Sequence, residues 1–370
     1  MPPTVAVDLR ALVPEATGIG VYTRSLLLEL ARRGTWSPLG LAHRPPRGAE
    51  ELEAAGVRLE HQPAPLGVLW QQLRLPRRLA QGDVDLFWSP LFTLPLRCPV
   101  PAVCTIHDLT MLLMPEHHRL KVRWSLLPFL RPSFEQARSL VTVSRATADD
   151  VLFHFPQCAG KVRVVYPGVD PEFQPGDPAA ISATRRELGA PDGYLMYAAT
   201  LEPRKNVHGL LDAWEGLATS DPKTTPPLVL AGPYGWGSQA LMKRIEALRP
   251  LGLQYLGRVD RARQVQLVQA ARLFVYPSFY EGFGFPPAEA IACGVPAVVS
   301  NVASLPEVVG DAGVQVDPRD SQSLAIALQE LLADPGREAD LRARALARAG
   351  RFRWDRATAE MEEVFQEALG

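Results

Sequence analysis

Short apolar runs closed by Gly or Pro recur along the chain and alternate with stretches in which apolar residues return every three or four positions. The first pattern predicts buried strands and the second amphipathic helices. Strands are expected over residues 4–9, 36–43, 57–61, 85–89, 100–106 and 139–144, and a second series over 194–199, 228–231, 253–256, 273–276, 296–299 and 313–316. Of the helices between them, one carries Leu26, Leu27, Leu30 and Ala31 on one face and should stop at Gly34. Another places Val207, Leu210, Leu211, Trp214 and Leu217 at core spacing behind Asn206, a natural N-cap. Such alternation predicts an α/β chain with parallel sheets and its functional loops at strand C-terminal ends. Residues 166–178 contain four prolines and separate the two series as a linker would. At 370 residues the chain exceeds one ordinary core, so two domains are expected, residues 1–170 and 171–351.

Composition narrows the class without choosing a chemistry. With 47% hydrophobic and 21% charged residues the chain reads as an ordinary soluble globular protein. It has no long apolar run, and its N-terminus leads straight into a strand, so a cytoplasmic protein without spanning helix or signal peptide is expected. Cys98, Cys104, Cys158 and Cys293 form no Cys-x-x-Cys pair, which argues against a zinc site or a disulfide framework. Net charge is -1, with no concentrated basic face of the kind a nucleic-acid partner requires.

The candidate chemistry sits at predicted strand ends. Glu281-Gly-Phe-Gly-Phe-Pro-Pro-Ala-Glu289 joins a strand to a helix that should begin near Pro286 and Pro287, leaving Glu281 in the loop and Glu289 near the helix start. Gly282 and Gly284 let a ligand approach bare amides. Two carboxylates accept from hydroxyls while amides donate, which suits a polyhydroxyl ligand. A plain loop before a capped helix is the bland alternative. Arg204 and Lys205 follow another strand end and precede a helix, so two cations and backbone N–H groups converge on one anion, as a pyrophosphate requires. Gly18-Ile19-Gly20 opens the first helix but lacks the third glycine of a dinucleotide fingerprint, which argues against a dehydrogenase. His107 beside Asp108, and Ser144 beside Arg145, close two further strands. Asp83-Val-Asp85 imitates a metal motif, but its place before the run Leu86-Phe-Trp88 makes it a turn, and no metal is expected there.

In this order, these segments resemble the family 4 glycosyltransferases. The match rests on Gly18-Ile-Gly20, Thr105-Ile-His107-Asp108, Val143-Ser144, Tyr166-Pro-Gly-Val-Asp170, Leu201-Glu-Pro-Arg-Lys-Asn206, Gly257-Arg-Val259, Pro277-Ser278, the Glu281 to Glu289 turn and Phe352-Arg-Trp354. The family usually has Ser where Arg353 stands. The resemblance implies the GT-B fold, two Rossmann-like lobes facing each other across a cleft, with a C-terminal helix within residues 352–370 crossing back to the N-terminal lobe. It implies that Arg204 and Lys205 hold a donor diphosphate and that Glu289 holds the ribose. Glu281 with the Phe283, Gly284 and Phe285 backbone would hold the sugar, and Arg258 and Val259 would border the base. Gly18, Ile19, Gly20, Ser144 and Thr200 join the donor-contacting set, and His107 would touch the transferred sugar.

The implied reaction is retaining hexosyl transfer with the nucleotide diphosphate sugar as co-substrate and neither cofactor nor metal, because cations and N–H donors already face the leaving diphosphate. Residues 18–24 and 201–206 resemble bacterial mannosyltransferases of lipopolysaccharide or capsule assembly, which puts GDP-mannose first and UDP-glucose second. A binding-only relative and a nucleotide-sugar epimerase are the alternatives. The acceptor would be a glycan or a lipid-linked glycan. Residues 119–138, with Arg119, Lys121, Arg123 and Arg131 among Trp124, Leu126, Leu127, Phe129 and Leu130, suggest peripheral contact with the inner face of a membrane. Residues 68–80, with Leu69, Trp70, Arg74, Arg77 and Arg78, repeat that theme. Pro128 and Pro132 are expected to break any long helix there.

Overall fold

The computed structural model describes residues 2–13, 17–117, 120–235 and 239–370 and, at 117 and 120–125, the backbone alone. The chain forms two compact units: residues up to Gly168 together with Arg353–Gly370, and Val169–Phe352. Val169 N donates to Phe352 O at 3.0 Å, so the two chain crossings between units run side by side.

In the first unit the strands are β1 (Thr4–Asp8), β2 (Ser37–Ala42), β3 (Arg58–His61), β4 (Leu86–Ser89), β5 (Ala102–Ile106), β6 (Ser139–Thr142) and β7 (Val162–Val164). They form one parallel sheet in the order β3-β2-β1-β4-β5-β6-β7. The central strands are buried along their length, which is why they read as unbroken apolar runs. Helix Gly18–Arg33 follows β1, is capped by Thr17 Oγ1 accepting from Gly20 N at 3.0 Å, and ends at Gly34 as predicted. Helix Trp354–Leu369 belongs to this unit, as the GT-B expectation required. Its Phe365 packs edge-on to Trp36 at 5.4 Å and against Trp88 at 5.8 Å, and Trp354 meets Tyr22 at 6.1 Å.

The second unit repeats the plan with β8 (Leu195–Ala198), β9 (Leu228–Ala231), β10 (Leu253–Tyr255), β11 (Leu273–Tyr276), β12 (Ala297–Ser300) and β13 (Gly313–Val316). Their parallel order is β10-β9-β8-β11-β12-β13. The strand order reverses between β1 and β4 in one sheet and between β8 and β11 in the other, and such reversals open ligand crevices at strand C-terminal ends.

Two sequence readings need correction. β7 was not anticipated; it is a three-residue, half-buried edge strand. Pro128 and Pro132 do not break their segment, because helix Leu120–Gln136 runs through both. Each interior proline costs about 3 kcal/mol, offset here by burial of Leu130 and Phe134, the latter 4.9 Å from the Phe155 ring. Leu126 and Leu127 also pack on that core. In the parallel stretch Trp70 is fully buried, and Arg78 is held by Glu60 at 2.5 Å and Asp83 at 2.7 Å, while Leu66, Leu69 and Leu73 are exposed. Arg119 lies outside the described residues, as do the side chains of Lys121, Arg123 and Trp124. Among the described residues no helix is long and apolar enough to cross a membrane.

Candidate active site

At the reversal of the second sheet, the loops after β8 and β11 are tied together. Phe279 N donates to Arg204 O at 2.9 Å, and Arg204 Nη1 donates to Tyr280 O at 2.5 Å. Arg204 and Lys205 lie on a short helical turn, Pro203–Lys205, directly before helix Val207–Ser220. Asn206 caps that helix from the left-handed region, at φ 54, where its short amide is tolerated, accepting from Gly209 N and donating to Pro318 O at 2.7 Å. Two cations therefore stand at a helix N-terminus, where orphan N–H groups and the helix dipole favour an anion.

Glu281 joins them. Lys205 Nζ lies 2.7 Å from Glu281 Oε1, and Arg204 Nη1 lies 3.3 Å from Oε2. Lys205 also donates to the Tyr276 hydroxyl at 2.9 Å, and Arg204 Nη2 reaches Glu202 at 3.1 Å. Burial alone would raise the Glu281 carboxyl, but the Lys205 and Arg204 charges outweigh it and hold the group at about 2. Burial likewise lowers the Lys205 ammonium, against the pull of Glu281. The result is a buried, ionised carboxylate flanked by two cations whose combined charge exceeds its own.

The Gly-Phe-Gly turn after Glu281 is built for close approach. Gly284 sits at φ 102, a conformation L side chains rarely adopt, and caps helix Phe285–Ala292. That helix starts one residue before the predicted Pro286. Phe283 is buried, edge-on to Phe285 at 5.2 Å, so what its segment can offer a ligand is main chain. Ser304 was missed from sequence. It is fully buried, with Oγ 2.9 Å from the Glu281 carbonyl and 2.7 Å from that of Phe283, so one hydroxyl proton is shared between two turn carbonyls. Glu289 is buried at the fifth of the eight residues of helix Phe285–Ala292, further from the helix start than the sequence suggested. It is bonded by Arg261 Nη1 at 3.0 Å and Gln264 Nε2 at 3.2 Å, neither of which was singled out from sequence. Burial pushes the Glu289 carboxyl up, opposed by Arg261, to about 7. Arg258 is exposed and Val259 half-buried in the loop after β10, and Thr200 is half-buried after β8.

In the first unit, Gly18, Ile19 and Gly20 form the first turn of helix Gly18–Arg33. A Cβ on Gly20 would come within 3.0 Å of Ala11 O. His107, just past β5, is buried beneath Tyr22 of that helix, their rings edge-on at 4.9 Å. Its Nε2 lies 2.9 Å from Pro90 O. A carbonyl only accepts, so Nε2 carries the proton and Nδ1 keeps a lone pair. Burial lowers the imidazole to about 4, leaving it neutral near pH 7. Ser144 caps helix Arg145–His154 by accepting from Thr147 N at 3.0 Å, and Thr147 Oγ1 reaches the His107 carbonyl at 3.4 Å. The sequence-selected residues of this unit thus converge at the ends of β1, β5 and β6. Asp83 and Asp85 are occupied structurally, Asp83 by Arg78 and Asp85 by Thr4 N at 2.7 Å.

Two parallel sheets of Rossmann type, with cations and buried glutamates where the second reverses, define a glycosyltransferase of the GT-B fold. The solved structure of HepE from Anabaena in complex with UDP shares the fold: it superposes with TM-score 0.77 over 98% of this chain and 99% of that one at 23% identity. The profile for glycosyl transferases group 1 matches residues 182–348 and that for glycosyltransferase family 4 matches residues 16–173. The chain is similar to O-antigen chain mannosyltransferase B of Escherichia coli, 37% identical over 309 residues that cover 82% of this chain and 80% of the relative. It is also 30% identical over 264 residues to the serotype-specific mannosyltransferase WbdA of Escherichia coli, covering 69% of this chain but only 32% of that protein, so it spans about a third of its length. The chain belongs to the family 4 glycosyltransferases.

Proposed function

We propose that the protein transfers mannose from GDP-mannose to a glycan or lipid-linked glycan, retaining the anomeric configuration and using no metal. The observation that carries this reading is the Arg204–Lys205–Glu281 cluster at the helix N-terminus after β8. Cleavage of a sugar to phosphate bond places charge on the diphosphate, and two cations with helix N–H groups stabilise that charge as it develops. Glu281 is neutralised by both cations, which makes it a poor covalent nucleophile and favours same-face attack by the acceptor. His107, neutral with a bare Nδ1, can accept from a sugar hydroxyl. Mannose is supported by the names of the Escherichia coli relatives, and a polysaccharide acceptor by the O-antigen named for one of them. UDP-glucose is the second reading, favoured by UDP in the HepE structure. Peripheral membrane contact is supported by exposed Leu66, Leu69 and Leu73 beside exposed Arg74 and Arg77.

The test is a panel of nucleotide sugars in thermal-shift binding, followed by nucleotide diphosphate release with glycan acceptors in the presence of EDTA. GDP-mannose should give the largest shift and support turnover. A larger shift with UDP-glucose reverses the donor order. Loss of turnover in EDTA with recovery in Mg²⁺ overturns the metal-free mechanism, and donor interconversion without acceptor points to an epimerase.

A further inference from the structure

Arg261, the first residue of helix Arg261–Ala270, is half-buried and meets three carboxylates and an aromatic ring. Its Nη1 lies 3.0 Å from Glu289 Oε1, its Nη2 3.2 Å from Asp170 Oδ2, and its Nε 3.5 Å from Glu172 Oε2. The guanidinium carbon lies over the buried Phe173 ring, 4.2 Å from its centroid. A planar fork that reaches carboxylates at its edges while lying over an aromatic face is a geometry only Arg supplies. Three of these four partners, Asp170, Glu172 and Phe173, come from the segment where the chain enters the second unit.

We propose that Arg261 is a positioning residue for donor binding: anchored by Asp170, Glu172 and Phe173, it orients the Glu289 carboxyl to accept from the vicinal ribose hydroxyls. Donor binding then follows the ionisation of that carboxyl, which Arg261 favours. This rests on the reading of Glu289 as the ribose ligand. An ionised carboxylate accepts through both oxygens, whereas a protonated one spends an oxygen on its own O–H and cannot accept fully from two neighbouring hydroxyls. Burial drives Glu289 toward that protonated form and Asp170 adds to the pressure, while Arg261 opposes both. The other groups near Glu289 do not share this task. Gln264 is neutral, Cys293 at the end of the same helix is a thiol raised by burial, and Arg342 on the packed helix Pro335–Ala349 turns to Gly294 O and Glu338.

The experiment measures dissociation constants of GDP and UDP, each beside its 2′,3′-dideoxy form, between about pH 6 and 9 for the native protein, Arg261→Met, Arg261→Lys and Glu289→Gln. Native affinity should rise with pH to a plateau. In Arg261→Met the rise should move upward, so that binding is at least about tenfold weaker near neutral pH and recovers toward pH 9. Arg261→Lys should lie between the two, and the dideoxy nucleotides should ignore all three substitutions. Equal weakening of Arg261→Met at every pH, or equal weakening of the dideoxy forms, overturns the positioning role. The underlying reading fails separately: if Glu289→Gln still discriminates ribose from dideoxyribose as the native protein does, Glu289 is not the ribose ligand.

Discussion

Lys205 and Glu281 stand 2.7 Å apart with only about a tenth of either side chain exposed, so neither can lose its partner without leaving a buried charge. Lys205→Met should cut kcat/KM at least about tenfold, because it removes a cation from the developing diphosphate charge; near-native turnover would sink the assignment. The same variant has a stability signature. Glu281 in the fold, at about 2, lies below its ordinary 4.5, so the pairing stabilises the protein above that ordinary value and is lost as pH falls toward 2. Without Lys205 the carboxyl rises, and denaturant midpoints should begin to fall at a higher pH than in the native protein. An unchanged acid limb would show that Arg204 alone holds Glu281. Arg204 and Lys205 could be picked out in the sequence because the pair follows a predicted strand end and precedes a capped helix. Arg261 and Ser304 were not, because what marks them is a partner: Glu289 lies 28 positions from Arg261, and the Glu281 and Phe283 carbonyls 23 and 21 from Ser304. A buried serine or the first arginine of a helix carries no local signature of that role.

The Gly282–Gly284 turn between β11 and helix Phe285–Ala292 depends on one backbone angle, that of Gly284, which glycine adopts freely and other residues do not. A Cβ on Gly284 would lie 2.8 Å from Leu305 Cδ2, and at φ 102 any L side chain is disfavoured. Gly284→Ala should therefore lower stability by about 1–3 kcal/mol and raise the KM for the donor, measured by denaturant unfolding and initial rates. Unchanged unfolding would mean that the turn relaxes freely. Elements with a strong local pattern were readable: the glycine-stopped first helix and the Asn206-capped helix both begin or end where the sequence placed them. Elements decided by packing were not. β7 is too short and too exposed to imprint an apolar run, and helix Leu120–Gln136 survives two prolines only because its other face fills the core of its unit.

Across the whole molecule, two series of apolar runs gave two sheets, but periodicity could not supply their order, in which β4 lies beside β1 and β11 beside β8. Within each unit the reversal brings together loops that are distant in sequence. The surface makes its own prediction: exposed Leu66, Leu69 and Leu73 with Arg74 and Arg77 should carry the protein onto anionic vesicles at low salt, and Leu69→Ser with Leu73→Ser should release it. Failure to co-float with anionic vesicles would point to a soluble acceptor. Helix Trp354–Leu369 bears on how the protein is made. The first unit is finished by a segment that the ribosome adds only after Val169–Phe352, roughly 10–40 s later at ordinary elongation rates. Until then Tyr22, Trp36 and Trp88, which that helix covers, lack their lid. The nascent chain thus carries an uncovered aromatic face through the synthesis of Val169–Phe352, and the first unit, though translated first, cannot be complete until the last residues of the chain are made.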